Sequence, residues 1–300
     1  KKGKKTDDPT PDLGFKAGYG KYDTYTVSGA AEGGFKETVG YHFSASQQET
    51  DGYLRNNFQK NTSLNGHLSF FLPADATIEF GVKWSGVNYG YPVVNDPTRA
   101  DYDPSYPDFL LTADQLRHIP PVGQFPGDRT PEWYRETTYL DGIFQIPAGP
   151  GTMKLHGFMT LGQRWNDYYR GPAFVSDFSD DKTQGIIAEY RDVELFDLHR
   201  FTFGAEYQTL GTYDDETYIV WSGYLQDVYR LTDRWTLTPG VRYYHVDMNT
   251  YYSQFGTGWP VAGKEQTDEG FYPSLKADFQ LSPQTALYAA VSRSYRLPCP

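Results

Sequence analysis

Residues 223–247 read GYLQDVYRLTDRWTLTPGVRYYHVD. From Trp235 to Tyr243 the chain alternates, with Trp235, Leu237, Pro239, Val241 and Tyr243 on one side and Thr236, Thr238, Gly240 and Arg242 on the other. A period of two is the mark of a β-strand whose faces meet different surroundings. A tight break at Thr232-Asp233 separates it from a strand of the same kind running the other way. The fold therefore turns on what covers the apolar side of this hairpin.

Composition narrows the choices. The chain has 300 residues, with 26 Tyr and 19 Phe against 3 Met and 1 Cys. Abundant Tyr, Gly, Thr and Asp suit strands and turns rather than helices. No run approaches the roughly 18 to 20 consecutive apolar residues of a membrane helix. The chain is thus either soluble or crosses a bilayer by closed β-structure, which also satisfies every backbone hydrogen bond in lipid. A net charge of −11 argues against a nucleic-acid partner. Cys299 alone excludes an intrachain disulfide scaffold. The opening KKGKKTDDPTPD, residues 1–12, is a polar lead-in without signal-peptide character.

The alternation recurs along the chain. TIEFGVKWS sorts Ile78, Phe80, Val82 and Trp84 from Thr77, Glu79, Gly81, Lys83 and Ser85. ETVGYHFSAS, MKLHGFMTL, FTFGAEYQ and SLKADFQL sort in the same way. About thirteen such segments of roughly 8 to 14 residues are present, with little that reads as helix. Every second connection reads as tight: Glu32-Gly33-Gly34, Pro73 to Ala76, Pro147 to Gly151, Phe196 to Leu198, Thr232-Asp233 and Ser282-Pro283-Gln284. The alternate ones vary, and several read as long: Gln48 to Asn57, Asn88 to Trp133, Asn166 to Asp181 and Asn249 to Glu269. Short turns on one rim and long loops on the other are the layout of an outer-membrane barrel. The segment lengths also match the roughly 9 to 11 residues a tilted strand needs to cross the hydrocarbon layer.

Charge assigns the faces. Glu79, Lys83, Lys154, Glu206, Arg242 and Lys276 lie mid-strand on the polar register. A midplane Arg or Lys facing lipid costs about 2 to 4 kcal/mol, whereas one facing a watery lumen costs little. The polar side therefore faces in and the apolar side faces lipid. Trp84, Trp221, Tyr229 and Trp235 near strand ends suit interfacial girdles. Asp227 breaks the rule, falling on the apolar register of Leu225 and Tyr229. Headgroup proximity or a β-bulge are two accounts of it.

The hairpin resembles the central barrel hairpin of TonB-dependent outer-membrane receptors, through Tyr224, Gln226, Asp227, Leu237, Thr238, Gly240, Arg242 and Tyr243. The next stretch, FYPSLKADFQLSPQTALYAAVSRSYRLP, resembles the family's following hairpin through Pro273, Ser282-Pro283, Leu287-Tyr288, Ser292 to Arg296 and Pro298. Together the two cover about residues 217 to 298. KKG at the start looks like the tail of the family's plug domain. The resemblance implies an all-β transmembrane antiparallel barrel of about 22 strands, of which this chain supplies about thirteen. It further implies a missing plug before residues 1–12, a partial barrel over 13–300 and a long extracellular loop over 88–133.

By the same resemblance the chain would be an importer, and the sequence, with no Walker loop, dinucleotide fingerprint or zinc spacing, does not read as an enzyme. It would take up a scarce nutrient, a ferric siderophore or other iron complex, driven by the TonB energy-coupling complex through a plug and box outside this chain. Outer-membrane lipid and lipopolysaccharide would surround it, and no cofactor is implied. A passive porin and a soluble Tyr-rich carbohydrate-binding protein are the alternatives. Aromatic residues in the long loop, Tyr89, Tyr91, Tyr102, Tyr106, Phe109, Phe125 and Trp133, either stack against ligand rings or pack the loop on itself. Arg164, on the polar register beside Trp165, Tyr168 and Tyr169, either pairs an anionic ligand or a neighbouring carboxylate. Acidic residues at Asp96, Asp101, Asp103, Asp108, Asp177, Asp180, Asp181 and Asp214 to Glu216 either attract cations or form a solvated rim bridged by divalent ions. His42, His67 and His156 take the inward register without metal-ligand spacing, and His118 and His245 are the only rim candidates for an enzyme.

Overall fold

The computed structural model describes residues 5–100, 102–110, 131–170, 173–212, 216–249, 252–253, 260–261 and 266–295. The expectations for Asp101, Phe125, His118, Asp214, Asp215 and Cys299, and for the side chains of Tyr169 and Glu216, lie outside the described residues.

Thirteen antiparallel strands form one sheet in chain order. They are β1 (Asp12–Tyr19), β2 (Tyr25–Phe35), β3 (Val39–Thr50), β4 (Gln59–Phe71), β5 (Thr77–Gly90), β6 (Glu132–Ala148), β7 (Gly151–Arg170), β8 (Ala173–Leu195), β9 (His199–Thr212), β10 (Glu216–Arg230), β11 (Trp235–Asn249), β14 (Gln266–Ser282) and β15 (Thr285–Ser292). Two short strands, β12 (Tyr252–Ser253) and β13 (Pro260–Val261), pair with each other between β11 and β14. Among the described residues no helix is long and apolar enough to cross a membrane. Residues 1–68, 81–139 and 161–180 form one compact unit and 69–80, 140–160 and 181–300 another.

Three connections differ from the sequence reading. Glu32-Gly33-Gly34 lies inside β2, and the turn follows at Lys36-Glu37, both left-handed at φ 49° and 51°. Gly33 is small for a different reason: a Cβ there would come within 2.6 Å of the Tyr41 hydroxyl across the strand pair. Asn166 to Asp181 is mostly strand, because β7 and β8 run to 20 and 23 residues. Gln266 to Glu269 likewise belongs to β14. Consecutive left-handed residues at Ala74-Asp75 and Phe196-Asp197 lie in two more of the short connections, a backbone conformation that tight hairpin turns use.

Exposure inverts the pattern of a soluble protein. On the hairpin that decides the fold, Trp221 is 54 % exposed while Val220 and Val246, paired on the other face, are 2 % and 0 % exposed. Leu225, Trp235 and Val241 share the exposed register. At the outer half of β10 and β11 the wet register itself turns apolar, where Tyr218, Val220, Val246 and Met248 pack with Leu210 and Tyr244.

Asp227 sits on the apolar register with no bulge, because the β10–β11 pairing keeps one register from Gln226↔Gly240 to Tyr229↔Leu237. Its carboxylate lies 2.6 Å from Nδ1 of His199. The His199 ring stacks flat on Tyr229 and Phe201, at 4.5 and 5.6 Å. A ring nitrogen on the same face thus gives a hydrogen-bond partner to a carboxylate that water does not reach freely.

One transverse row fixes the mid-height of the second unit. Pairing sets Glu189 opposite Gly204, Gly204 opposite Tyr224, Tyr224 opposite Arg242 and Arg242 opposite Tyr272. The Tyr224 hydroxyl crosses the Gly204 position to donate to Glu189 at 2.5 Å. A Cβ at 204 would stand 2.7 Å from both that hydroxyl and the Ala188 carbonyl oxygen. Gly204→Val is therefore expected to destabilise the protein by about 1 to 3 kcal/mol, read by urea unfolding of the refolded protein. Gly157→Ala, where no atom lies within 4 Å, should leave the midpoint unchanged; equal losses at both sites would refute the close-approach account.

Candidate functional site

The polar register carries a charge-compensated wall. Lys154 Nζ donates to Glu189 at 2.9 Å, the same carboxylate that accepts from Tyr224. Arg242 bonds Glu206 and, at 2.9 Å, Ser222 Oγ. Its guanidinium also lies over the Tyr224 and Tyr244 rings, at 5.1 and 4.7 Å. Two of the inward histidines also lie near carboxylates: His42 is 3.4 Å from Glu32 and His156 is 3.9 Å from Asp141. Among the described residues no group of three or more metal-ligand side chains forms. His245 is held by Glu269, at 3.2 Å, and by Asp247, at 3.3 Å.

A second, uncharged set gathers at the foot of the long connection in the first unit. Tyr89 stacks on Trp133 at 4.8 Å, and Tyr91 meets Tyr89 edge-on at 5.6 Å. The Tyr91 hydroxyl donates to Asn166 Oδ1 at 2.7 Å. Burial pushes the Tyr91 phenol above its ordinary pKa, and the nearby Arg164 charge opposes the shift. Strand alternation places Tyr89, Trp133, Arg164, Asn166 and Tyr168 on the polar register together, and Tyr168 donates to Asp177 at 2.8 Å.

Trp165 separates from this set. It falls on the opposite register and packs with Tyr134 and the exposed Phe178, at 5.2 and 5.1 Å. Such a position suits an interfacial aromatic rather than a ligand contact.

Asparagines that sequence reasoning passed over hold the connection. Asn56, left-handed at φ 56°, donates from Nδ2 to the carbonyls of Tyr91 and Pro131, at 2.9 and 2.8 Å. It thereby pins the two ends of the loop together. Asn95 is 1 % exposed and its amide donates to the carbonyls of Asp103, Tyr106 and Pro107, while its Oδ1 accepts the Asp103 N–H. Tyr102 donates to Asp108 at 3.0 Å. Tyr102 and Tyr106 are thus tied into the loop's own fold. Asp96 and Asp103 are turn formers as well: each accepts the N–H and hydroxyl two residues on, at Thr98 and Ser105. The only sequence signal was the Asn-Asp-Pro and Tyr-Asp-Pro-Ser spacing, which marks turns.

A long antiparallel sheet with a charge-balanced polar face and an exposed apolar face defines the wall of a membrane-crossing β-structure. The chain belongs to the TonB dependent receptor-like, beta-barrel family, whose model matches residues 2–298. That family's barrels sit in the outer membrane of Gram-negative bacteria. No curated relative matched the sequence. Among solved structures, the siderophore receptor PiuA from Acinetobacter baumannii aligns with a TM-score of 0.69 at 12 % identity, over 94 % of this chain and 49 % of that one. The ferric yersiniabactin uptake receptor FyuA from Yersinia pestis gives 0.67 at 15 %, over 94 % and 46 %. The ferric enterobactin receptor PfeA, in complex with BCV-L6, gives 0.64 at 16 %, over 96 % and 44 %. These likenesses establish the fold, and the chain spans about half the length of each.

Loop order should depend on Asn95. Removing an amide that serves three carbonyls and one N–H in a buried position costs about 1 to 3 kcal/mol. Asn95→Ala should therefore raise hydrogen exchange across residues 96–109 at least about tenfold while the strands keep their protection; unchanged exchange there would refute the role. Hydrogen bonds from Ser105 to Asp103 and from Thr98 to Asp96 hold both carboxyls below the ordinary value of 3.8. A depressed folded pKa gives stability present above the unfolded value and lost as pH falls through the folded one. The loop should accordingly stay protected as pH drops through 3.8 and lose protection only below it.

Proposed function

We propose that this chain is part of an outer-membrane receptor for TonB-dependent, energy-coupled uptake of a ferric siderophore or other iron complex. The observation that carries the reading is the Tyr89–Trp133–Tyr91–Asn166 set with Arg164, on the water-facing register where the ends of the long connection are pinned. Aromatic faces pack on the rings of a chelate, and a guanidinium pairs its anionic oxygens. The names of the structural neighbours, receptors for ferric enterobactin and ferric yersiniabactin, support the ligand class. Energy would enter from the TonB complex through a plug segment outside these residues. The apolar register would face membrane lipid, with lipopolysaccharide around the outer rim.

Quenching of tryptophan fluorescence by a panel of ferric catecholate, phenolate and hydroxamate chelates tests this. Loss of an aromatic contact and its packing is worth about 0.5 to 1.5 kcal/mol, up to roughly tenfold in affinity. Trp133→Ala should weaken binding by about that factor, and Tyr91→Phe by a few-fold through its lost hydrogen bond. Trp165→Ala should leave affinity unchanged. Binding of none of the chelates, or a larger loss at Trp165 than at Trp133, would end the proposal.

A further inference from the structure

An apolar groove of about 840 Å³ lies on the apolar-register face of the first five strands. Gly29, Ala45 and Gly66 form its floor on β2, β3 and β4, and Phe15, Leu64 and Trp84 stand around it. The floor is continuous because Gly29 pairs directly with Ala45. Phe43 lies against Gly66, where a Cβ would approach its ring to 3.3 Å.

Along the same register towards the long-loop end, the face turns polar. Gln47 and Glu49 follow Ala45 on β3, Tyr25 pairs with Glu49, and Lys60 lies on β4. These four side chains form one bonded cluster. The Tyr25 hydroxyl donates to Glu49 at 2.6 Å, the Gln47 amide donates to the Tyr25 hydroxyl at 3.0 Å, and Lys60 Nζ lies 3.4 Å from Glu49. At about 3.3 Å per residue, four residues put the cluster about 13 Å from the groove floor. The Lys60 side chain is 50 % exposed, so its ammonium keeps donors for a further anion.

An apolar slot leading into a polar cap that carries a cation matches the two-part chemistry of an acylated amphiphile. We propose that this face binds one ordered phosphorylated glycolipid of the membrane. An acyl chain lies in the groove, a phosphate meets Lys60, and sugar hydroxyls donate to Glu49 and Gln47. Charge complementarity at Lys60 selects a phosphate over a neutral head, and the paired carboxylate and amide select hydroxyl-rich heads over simple phosphodiesters. The inference rests on the reading that the apolar register faces lipid.

The test is native mass spectrometry of the full reading frame in mild detergent, with purified lipid A and phosphatidylglycerol added at equal concentration. One lipid A per chain should be retained in preference to phosphatidylglycerol. Retention should fall at least about fivefold in Lys60→Glu, and again in the Gly29→Leu/Ala45→Leu variant that fills the groove. Heat-modifiable migration on a gel checks that each variant is folded. Equal retention in folded variants, or no preference for lipid A over phosphatidylglycerol, would overturn the site. Absence of heat-modifiable migration in the unaltered protein would instead overturn the membrane reading beneath it.

Discussion

The structure depends on one constraint: a broad apolar sheet face that no protein segment covers among the described residues. Trp221, Leu225, Trp235 and Val241 project from strands whose opposite side is closed by Tyr218, Val220 and Val246. In water, exposed apolar surface costs about 25 cal/mol per Å², and residues of this size each carry well over a kilocalorie of it. Such a face is stable only in contact with hydrocarbon. Lipid in turn forbids unpaired backbone polar groups, which explains why the chain is built of long, regularly paired strands.

The same constraint shapes the opposite face. Charges displaced from the lipid side accumulate on the wet side, where they compensate one another. Lys154 shares Glu189 with Tyr224, and Arg242 is enclosed by Glu206, Ser222 and two tyrosine rings. Because these partners sit on different strands, each bond ties strand to strand, and the register of β8 to β11 is fixed by side chains as well as by backbone. Gly204 is part of this arrangement although it has no side chain. It leaves the space through which Tyr224 reaches a strand two away. On the apolar face Asp227, an acidic exception near the short-turn end, carries its own partner in His199.

Much of this was legible in the sequence because a period of two is local. The faces of β5, β9, β11 and β14 follow from alternation alone, and the thirteen-strand sheet agrees with the segments read from it. What was not legible needed a partner from elsewhere. Gly33 looked like a turn because glycine usually marks one, yet its cause is the ring of Tyr41 on the next strand. The stretch from Asn166 to Asp181 looked like loop because it is polar, whereas strands continuing beyond a hydrocarbon layer have no need of an apolar side. Asn56 gave no signal and Asn95 only that of a turn, since a clamp on distant carbonyls leaves no periodic trace in its own neighbourhood.

Trp165 shows how the same period also corrects a reading based on proximity in sequence. Arg164, Trp165, Asn166 and Tyr168 are near neighbours in the chain, and all carry chemistry suited to a ligand. In a strand, adjacent residues point to opposite faces, so at most alternate members of such a run can share a site. Asn166 reaches Tyr91 on the wet face, and Trp165 joins Tyr134 and Phe178 on the other. The aromatic richness of this region therefore divides into two populations with different surroundings. One set, on the polar register, is linked through Tyr91 and Asn166 to the pinned ends of the long connection. The other packs on the apolar register, where an indole's wet edge and apolar body suit a membrane boundary. A ligand carried on the water side can meet only the first.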